Sequence, residues 1–318
     1  MKIVVGLHGG SDADYVRELA AAGADEFFLG YVPPRWSRRF GFEFSPNRRY
    51  RQASQVTSRR VLDALCAAAL GRGRPVTLAF NEHLVTPAAW NEGRRLIREA
   101  AEAGVGAVIV ADPSLIRPMR QEFPGLAVHV SGDAGLYNAA TAELFFGLGA
   151  ARVIFPREIG WPDLRASLAA VRKPGRQFEA FIMGEPCVYD GARCFAEHGY
   201  DFCRDFCHDH SAKLLTRRGR QPPEYLVPAQ EEFLRRYRDQ RPWELGKCGL
   251  CALAHLRRGG ITHLKIPARS SGALRSVRLV RRMLDDRAAG PALARGLLAA
   301  PALCRSLLLC YYPELCHG

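Results

Sequence analysis

Short, continuously apolar runs alternate with longer amphipathic stretches over the first 180 residues of the chain. The runs KIVVGL (2–7), DEFFLG (25–30), PVTLAF (75–80), GAVIVA (106–111), LAVHVS (126–131), ARVIFP (151–156) and FEAFIM (178–183) read as strands. An eighth, HLKIPA (263–268), comes much later. Between them, DADYVRELAAAG (12–23) and PAAWNEGRRLIREAAEAG (87–104) carry apolar residues at helical spacing, the second ending on Gly104. Strands apolar on both faces and separated by helices predict a parallel sheet covered on both sides. Eight such units are the number for a closed (β/α)8 barrel of the TIM type. A doubly wound open sheet is the alternative, but no G-x-G-x-x-G follows the first strand to favour it.

In such a barrel, chemistry gathers at the C-terminal ends of the strands. Those positions hold His8, Gly30, Asn81, Asp112, Ser131, Arg157 with Glu158, Glu185 with Cys187, and Lys265. Polar groups directly after apolar strands point to a pocket, although a cap or loop role also fits any single one.

Three regions break the rhythm. Residues 31–57 form a long loop rich in arginine and aromatics, in which Trp36, Phe40, Phe42 and Phe44 could cover an apolar substrate or simply cap the barrel. Residues 184–251 form a cysteine-rich insertion after strand seven, and 287–318 form a C-terminal extension to a barrel that occupies 1–286. The start, MKIVVGLHGG, reads as a first strand and is too short for a signal h-region. The apolar tail is interrupted by Arg295, Pro301 and Arg305, so no transmembrane segment is expected. The expected location is the cytoplasm, where thiols stay reduced. The formal net charge of +13 favours anionic partners, nucleic acid among them, or reflects a solvated arginine-rich surface.

Six of the ten cysteines lie in the insertion: Cys187, Cys194, Cys203, Cys207, Cys248 and Cys251. In a reducing compartment, disulfides give way to metal binding. Cys203, Cys207, His208 and His210 could hold zinc. The wider spacing suits an iron–sulfur cluster at a barrel mouth, because four loop thiolates can hold a 4Fe-4S cube. In the tail, Cys304, Cys310 and Cys316 are regularly spaced and could form a second metal site or be incidental thiols on an apolar helix.

The stretch FEAFIMGEPCVYDGARCF (178–195) resembles the signature of the peptidase U32 family. The likeness continues in order through GADEFFLG (23–30), VTLAFNE (76–82), GVGAVIVADPSLI (104–116), HVSGDAGLYNAATAELFFGLGAARVIFPREI (129–159) and GLCALAHLRRGGITHLKIPARSSG (249–272). The resemblance implies a barrel with a four-cysteine 4Fe-4S cluster. It also implies hydroxylation of aromatic or nucleobase substrates without molecular oxygen, with prephenate as a co-substrate of several members. Carried over by position, Cys187, Cys194, Cys203 and Cys251 are the expected ligands, with Cys207 and Cys248 as alternates. Lys265 and Arg269 match the basic ends of a strand motif whose central Glu-Gly is here Pro267-Ala268. Ala192 stands where the family has glycine, and Glu185-Pro186 replace small residues before the first cysteine.

In length the chain is most similar to two short members that act as a pair in anaerobic ubiquinone synthesis. The leading expectation is therefore an oxygen-independent hydroxylase of a quinone precursor or similar aromatic small molecule, working alone or as a heterodimer with a related U32 protein. A tRNA- or rRNA-modifying hydroxylase and a U32-type peptidase are the alternatives. The catalytic candidates are Arg157, Glu158, Glu185 and Lys265. For substrate binding, Asn81, Ser131, Arg157, Lys265 and Arg269 are the candidates, the cations pairing with carboxylates of the oxygen donor.

Overall fold

The computed structural model describes residues 1–41, 45–49, 52–184, 191–194, 247–267, 272–286, 290–298 and 310–315. Eight strands pair in parallel and close on themselves: β1 (Lys2–Gly6), β2 (Glu26–Tyr31), β3 (Val76–Phe80), β4 (Ala107–Val110), β5 (Ala127–Val130), β6 (Arg152–Ile154), β7 (Gln177–Phe181) and β8 (His263–Ile266). Closure is made by β1, which pairs with β2 on one side and β8 on the other. The structure is thus the expected (β/α)8 barrel.

Helices cover the outside: α1 (Ala13–Ala21), α2 (Pro34–Phe40), α3 (Arg59–Leu70), α4 (Pro87–Glu102), α5 (Ile116–Glu122), α6 (Ala139–Leu148), α7 (Trp161–Val171), α8 (Leu253–Gly259), α9 (Ala273–Asp285) and α10 (Pro291–Leu298). Local chemistry starts and stops them where the sequence suggests. Asp12 accepts from Tyr15 N at 2.8 Å to cap α1, and Asn138 accepts from Thr141 N at 2.9 Å to cap α6. Gly149 ends α6 at φ 107°, a left-handed conformation that only glycine adopts without strain.

The apolar strand residues bury against these helices, but the inside of the barrel is not uniformly apolar. Glu26, His129, Arg152, Glu179, His263 and Lys265 are all buried. Arg152 bridges two carboxylates, 2.8 Å from Glu26 and 2.8 Å from Glu179. Glu179 also takes Lys265 Nζ at 2.8 Å, and Glu26 faces His263 Nε2 at 3.1 Å. Two carboxylates and two obligate cations therefore balance, which is the condition for burying charge at tolerable cost. Burial alone would raise the Glu26 carboxyl, but His263 and Arg152 outweigh it and hold it far below its ordinary range. Burial, with Arg152 adding to it, pushes the His129 imidazole down to about 3.

The long loop after β2 is partly ordered structure. α2 buries Trp36 against Phe40, with ring centroids 4.7 Å apart, and edge-on to Phe80 at 6.2 Å. These rings join the packing beneath the helices and are not among the residues that line the mouth; Pro34 favours the start of α2 at that position. Phe42 and Phe44 lie outside the described residues.

Candidate active site

At the C-terminal mouth, the strand ends enclose a recess of about 560 Å³ counted to its open edge. Its floor and walls are apolar, from Phe28, Ala79, Ile109, Ile154 and Phe181. One polar edge is built from the ends of β3, β5 and β6. Asn81 Nδ2 donates to Ser131 Oγ at 3.2 Å and to Asp133 Oδ2 at 3.0 Å, and Ser131 Oγ donates to the same carboxylate oxygen at 3.2 Å. Arg157 reaches Asp133 Oδ1 at 3.5 Å and lies over the Phe181 ring at 5.3 Å.

Asn81, Ser131, Arg157, Glu158 and Lys265, each singled out from the strand ends, meet in this recess. Lys265 lies deeper than its expected place at the rim. It is the third residue of β8, buried, hydrogen-bonded to Glu179 and 3.9 Å from the Phe28 ring centroid. Burial lowers its pKa, with Glu179 opposing. His8 and Asp112 do not line the recess; Asp112 accepts from Ser114 N at 2.9 Å and caps the turn after β4. Glu185 and Arg269 lie outside the described residues.

Three charged site residues, Asp133, Arg48 and Arg49, have no counterpart among the positions expected from the sequence. Arg48 and Arg49 are buried in the mouth although they belong to a loop without periodicity. Arg49 donates to Leu7 O at 2.5 Å and sits over Phe28 at 5.0 Å, while Arg48 donates to Cys194 O at 2.8 Å. A pair of amides locks the loop: Asn47 Nδ2 donates to Gln55 Oε1 at 3.1 Å and Gln55 Nε2 returns to Asn47 Oδ1 at 2.9 Å. The one sequence signal for this closure is Gly30, where a Cβ would sit 2.9 Å from Asn47 Nδ2, so the strand end must stay bare for the loop to close.

The cysteine segments return to the same end of the barrel. Cys194 follows Gly191, whose backbone lies directly against Asp133. Residues Lys247–Cys248 pair antiparallel with Met183–Gly184, and Cys251 is buried in the turn that leads to α8. Cys310 forms a parallel bridge with Cys248, and Tyr311 N donates to Cys248 O at 3.0 Å. One tail cysteine thus lies beside an insertion cysteine, while Cys304 and Cys316 fall outside the described residues. So do Cys187, Cys203, Cys207, His208 and His210. Among the described residues no three cysteine, histidine or carboxylate side chains converge as one coordination group. Thiolate donors suit an iron–sulfur cluster, and two of the four expected ligands, Cys194 and Cys251, are in segments that border the barrel mouth.

A closed parallel barrel whose mouth joins an apolar floor to a polar, arginine-ringed edge has the form of a (β/α)8 enzyme site. The sequence pattern of Peptidase family U32 matches residues 11–297, and the chain belongs to that family. Among curated relatives, the tRNA hydroxylation protein P of Escherichia coli (strain K12) is 25% identical over 239 residues, 62% of this chain and 52% of that protein. The protein of the same name from Haemophilus influenzae is 34% identical over 101 residues, 31% of this chain and 21% of that protein. The tRNA hydroxylation protein P1 of Bacillus subtilis (strain 168) is 30% identical over 98 residues, 31% of this chain and 22% of that protein. The chain spans about half the length of the Escherichia coli relative. A solved U32 peptidase structure superposes at a TM-score of 0.44 and 15% identity, covering 57% of this chain and 69% of that one. The fold assignment rests on the strand pairing described above.

These names correct the leading expectation. Similarity in length pointed to hydroxylation of a ubiquinone precursor, but the curated relatives are named for tRNA hydroxylation. Length was the wrong guide because the match covers only about half of a longer protein, so chain length does not track the relatives' names. Among the described residues no helix is long and apolar enough to cross a membrane.

Proposed function

We propose that this chain hydroxylates a nucleotide of tRNA at the barrel mouth, replacing a C–H bond of a base by C–OH. The observation that carries the reading is the pairing of an apolar floor with the Asn81–Ser131–Asp133 edge, ringed by Arg48, Arg49 and Arg157. A base in a folded RNA must leave its stack to be modified, and the recess offers what an extruded base needs. Phe28 and Phe181 give it apolar faces, and Asn81 and Ser131 present donor and acceptor atoms to its edge. Arg157 and Arg48, which line the same recess, would face the ribose–phosphate of that nucleotide. Asp133 holds Asn81, Ser131 and Arg157 in register and so positions the groups that touch the base.

A 4Fe-4S cluster held by Cys187, Cys194, Cys203 and Cys251, with Cys207 and Cys248 as alternates, would supply the electron chemistry that no side chain provides. Prephenate or another carboxylate-bearing oxygen donor would pair with the same arginines. Peptide hydrolysis fits the recess poorly. Among the described residues its lining has no histidine or cysteine, and Ser131 faces an amide and a carboxylate without the imidazole that activates a serine.

The test is to purify the full chain anaerobically, incubate it with tRNA from a strain lacking hydroxylated nucleosides together with a carboxylate donor, and digest the RNA for mass spectrometry. One nucleoside should gain about 16 Da, the mass of one oxygen. Unchanged nucleosides with iron-loaded protein, or hydroxylation of a quinone precursor instead, would overturn the reading.

A further inference from the structure

On the outer wall, α7 and α8 flank an open groove of about 760 Å³ that takes no part in the mouth. Trp161, Arg165, Ala169 and Arg172 follow one another at helical spacing down α7 and its end, and His255, Arg258 and Gly259 face them from α8. Arg165, Arg172 and Arg258 are exposed, and among the described residues none of the three forms an ion pair. Some arginines elsewhere are matched, Arg17 with Asp14, Arg59 with Asp63 and Arg94 with Glu122, and others such as Arg60 and Arg98 have no ion pair among the described residues, so what sets these three apart is that they line one groove beside an aromatic wall. Arg258 donates to His255 Nδ1 at 3.4 Å, which still leaves its charge uncompensated.

The groove also has a shaped aromatic wall. Trp161 and His255 meet edge to face at 5.6 Å. Gly259 keeps the wall close, since a Cβ there would come within 3.1 Å of Trp161 Cη2. Arg165 and Arg172 are separated by about 10 Å of helix axis, more than the ~3.4 Å rise of one nucleotide in a strand, so they would meet different phosphates. The groove begins close to the mouth, because Trp161 is four residues after Arg157 and a chain of four residues spans at most about 14 Å.

We infer that this groove holds the ribose–phosphate backbone of the tRNA segment next to the nucleotide in the mouth, with Arg165, Arg172 and Arg258 meeting its phosphates. The inference rests on the tRNA reading above and extends it from the reacting base to the flanking strand. The polyanion matches three uncompensated cations and the overall charge of +13, and an aromatic wall beside a cationic track is the form that single-stranded RNA sites take.

The experiment compares the full-length wild type with two charge-matched triple variants, using fluorescence anisotropy of labelled tRNA over a range of salt concentrations. One is Arg165→Gln/Arg172→Gln/Arg258→Gln. The other is Arg60→Gln/Arg72→Gln/Arg98→Gln, three exposed arginines around α3 and α4 that likewise form no ion pair among the described residues. The groove variant should bind about tenfold or more weakly, and the slope of log K against log salt should become shallower by about 2, at ~0.7–0.9 for each phosphate left without its arginine. The control should stay within about twofold of wild type, with its slope unchanged. Circular dichroism confirms folding, and the single Arg165→Glu variant, which reverses rather than removes a charge, should also weaken binding. Equal losses in both triples would reduce the effect to net charge and overturn the inference. Wild-type-like binding by the groove variant would overturn it while leaving the tRNA reading standing. A wild type that fails to bind tRNA at any salt would sink both.

Discussion

Replacing Glu179 by Gln tests the buried charge network that underlies the mouth. Glu179 is 1% exposed and accepts from Arg152 and Lys265, each at 2.8 Å. Burial by itself would raise its pKa, but Lys265 and Arg152 outweigh it and bring it from the ordinary 4.5 down to about 2. At about 1.4 kcal/mol per pK unit, that differential interaction is on the order of 3 kcal/mol. Breaking a buried pair costs about 3–5 kcal/mol because the remaining charge is uncompensated. Here that charge is the ammonium of buried Lys265. With an unfolding entropy of about 2.1 cal/mol/K per residue, Glu179→Gln should lower Tm by about 4–8 °C. The assay is thermal unfolding followed by circular dichroism, with Glu179→Gln/Lys265→Met as the partner variant. Removing the orphaned ammonium should recover at least about 1 kcal/mol. The pH dependence supplies a second readout. A depressed carboxyl contributes fully above its unfolded value and loses its contribution as pH falls through the folded one. The gap between wild type and Glu179→Gln should therefore narrow between pH 4.5 and about 2. A Tm change below about 2 °C, against this expected size, or a gap that widens on acidification, would refute the reasoning.

Three further outcomes follow from the same structure. His129, held neutral by burial down to about 3 from 6.5, costs the fold nothing by titration above pH 6.5 and progressively more as pH falls toward 3; in His129→Gln this arm should flatten by up to about 1.4 kcal/mol per pH unit, and a wild-type arm that is already flat would contradict it. Asn81→Ala removes a donor to Ser131 and Asp133 at the mouth, so hydroxylation should fall by about 10- to 100-fold for about 1–2 kcal/mol of stability; unchanged turnover would remove Asn81 from the site. Cys251→Ser and Cys194→Ser should lower iron and sulfide content, whereas Cys66→Ala should not, since burial first and Asp63 second push the Cys66 thiol up to about 12 and it lies on the buried face of α3; iron retained by both rim variants would redirect the ligand set.

The barrel itself was legible because its strands are short apolar runs, each followed by a helix, and because eight of them leave room for closure. The charge inside was not. Glu26, Arg152 and His263 each sit at or next to the first residue of a strand, where a charge reads as a boundary; parallel packing turns them inward toward one another. Strand-end polar residues such as Asn81, Ser131 and Arg157 could be found by position alone. Arg48 and Arg49 could not, since what carries them into the mouth is the Asn47–Gln55 amide pair, an interaction without sequence period. The meeting of Cys248 with Cys310 is equally non-local and depends on the tail folding back along Met183–Gly184 and Cys248.

The central claim is that this mouth hydroxylates tRNA. It is tested most directly by expressing the chain in a host deleted for its own tRNA hydroxylation proteins and analysing the total tRNA nucleosides by mass spectrometry. One nucleoside should reappear about 16 Da heavier with the wild type and be absent with Arg157→Gln, which removes the guanidinium that reaches Asp133 and stands over Phe181. Nucleosides identical to those of the empty host in iron-replete, anaerobically grown cells, or a heavier nucleoside that persists in Arg157→Gln, would contradict it.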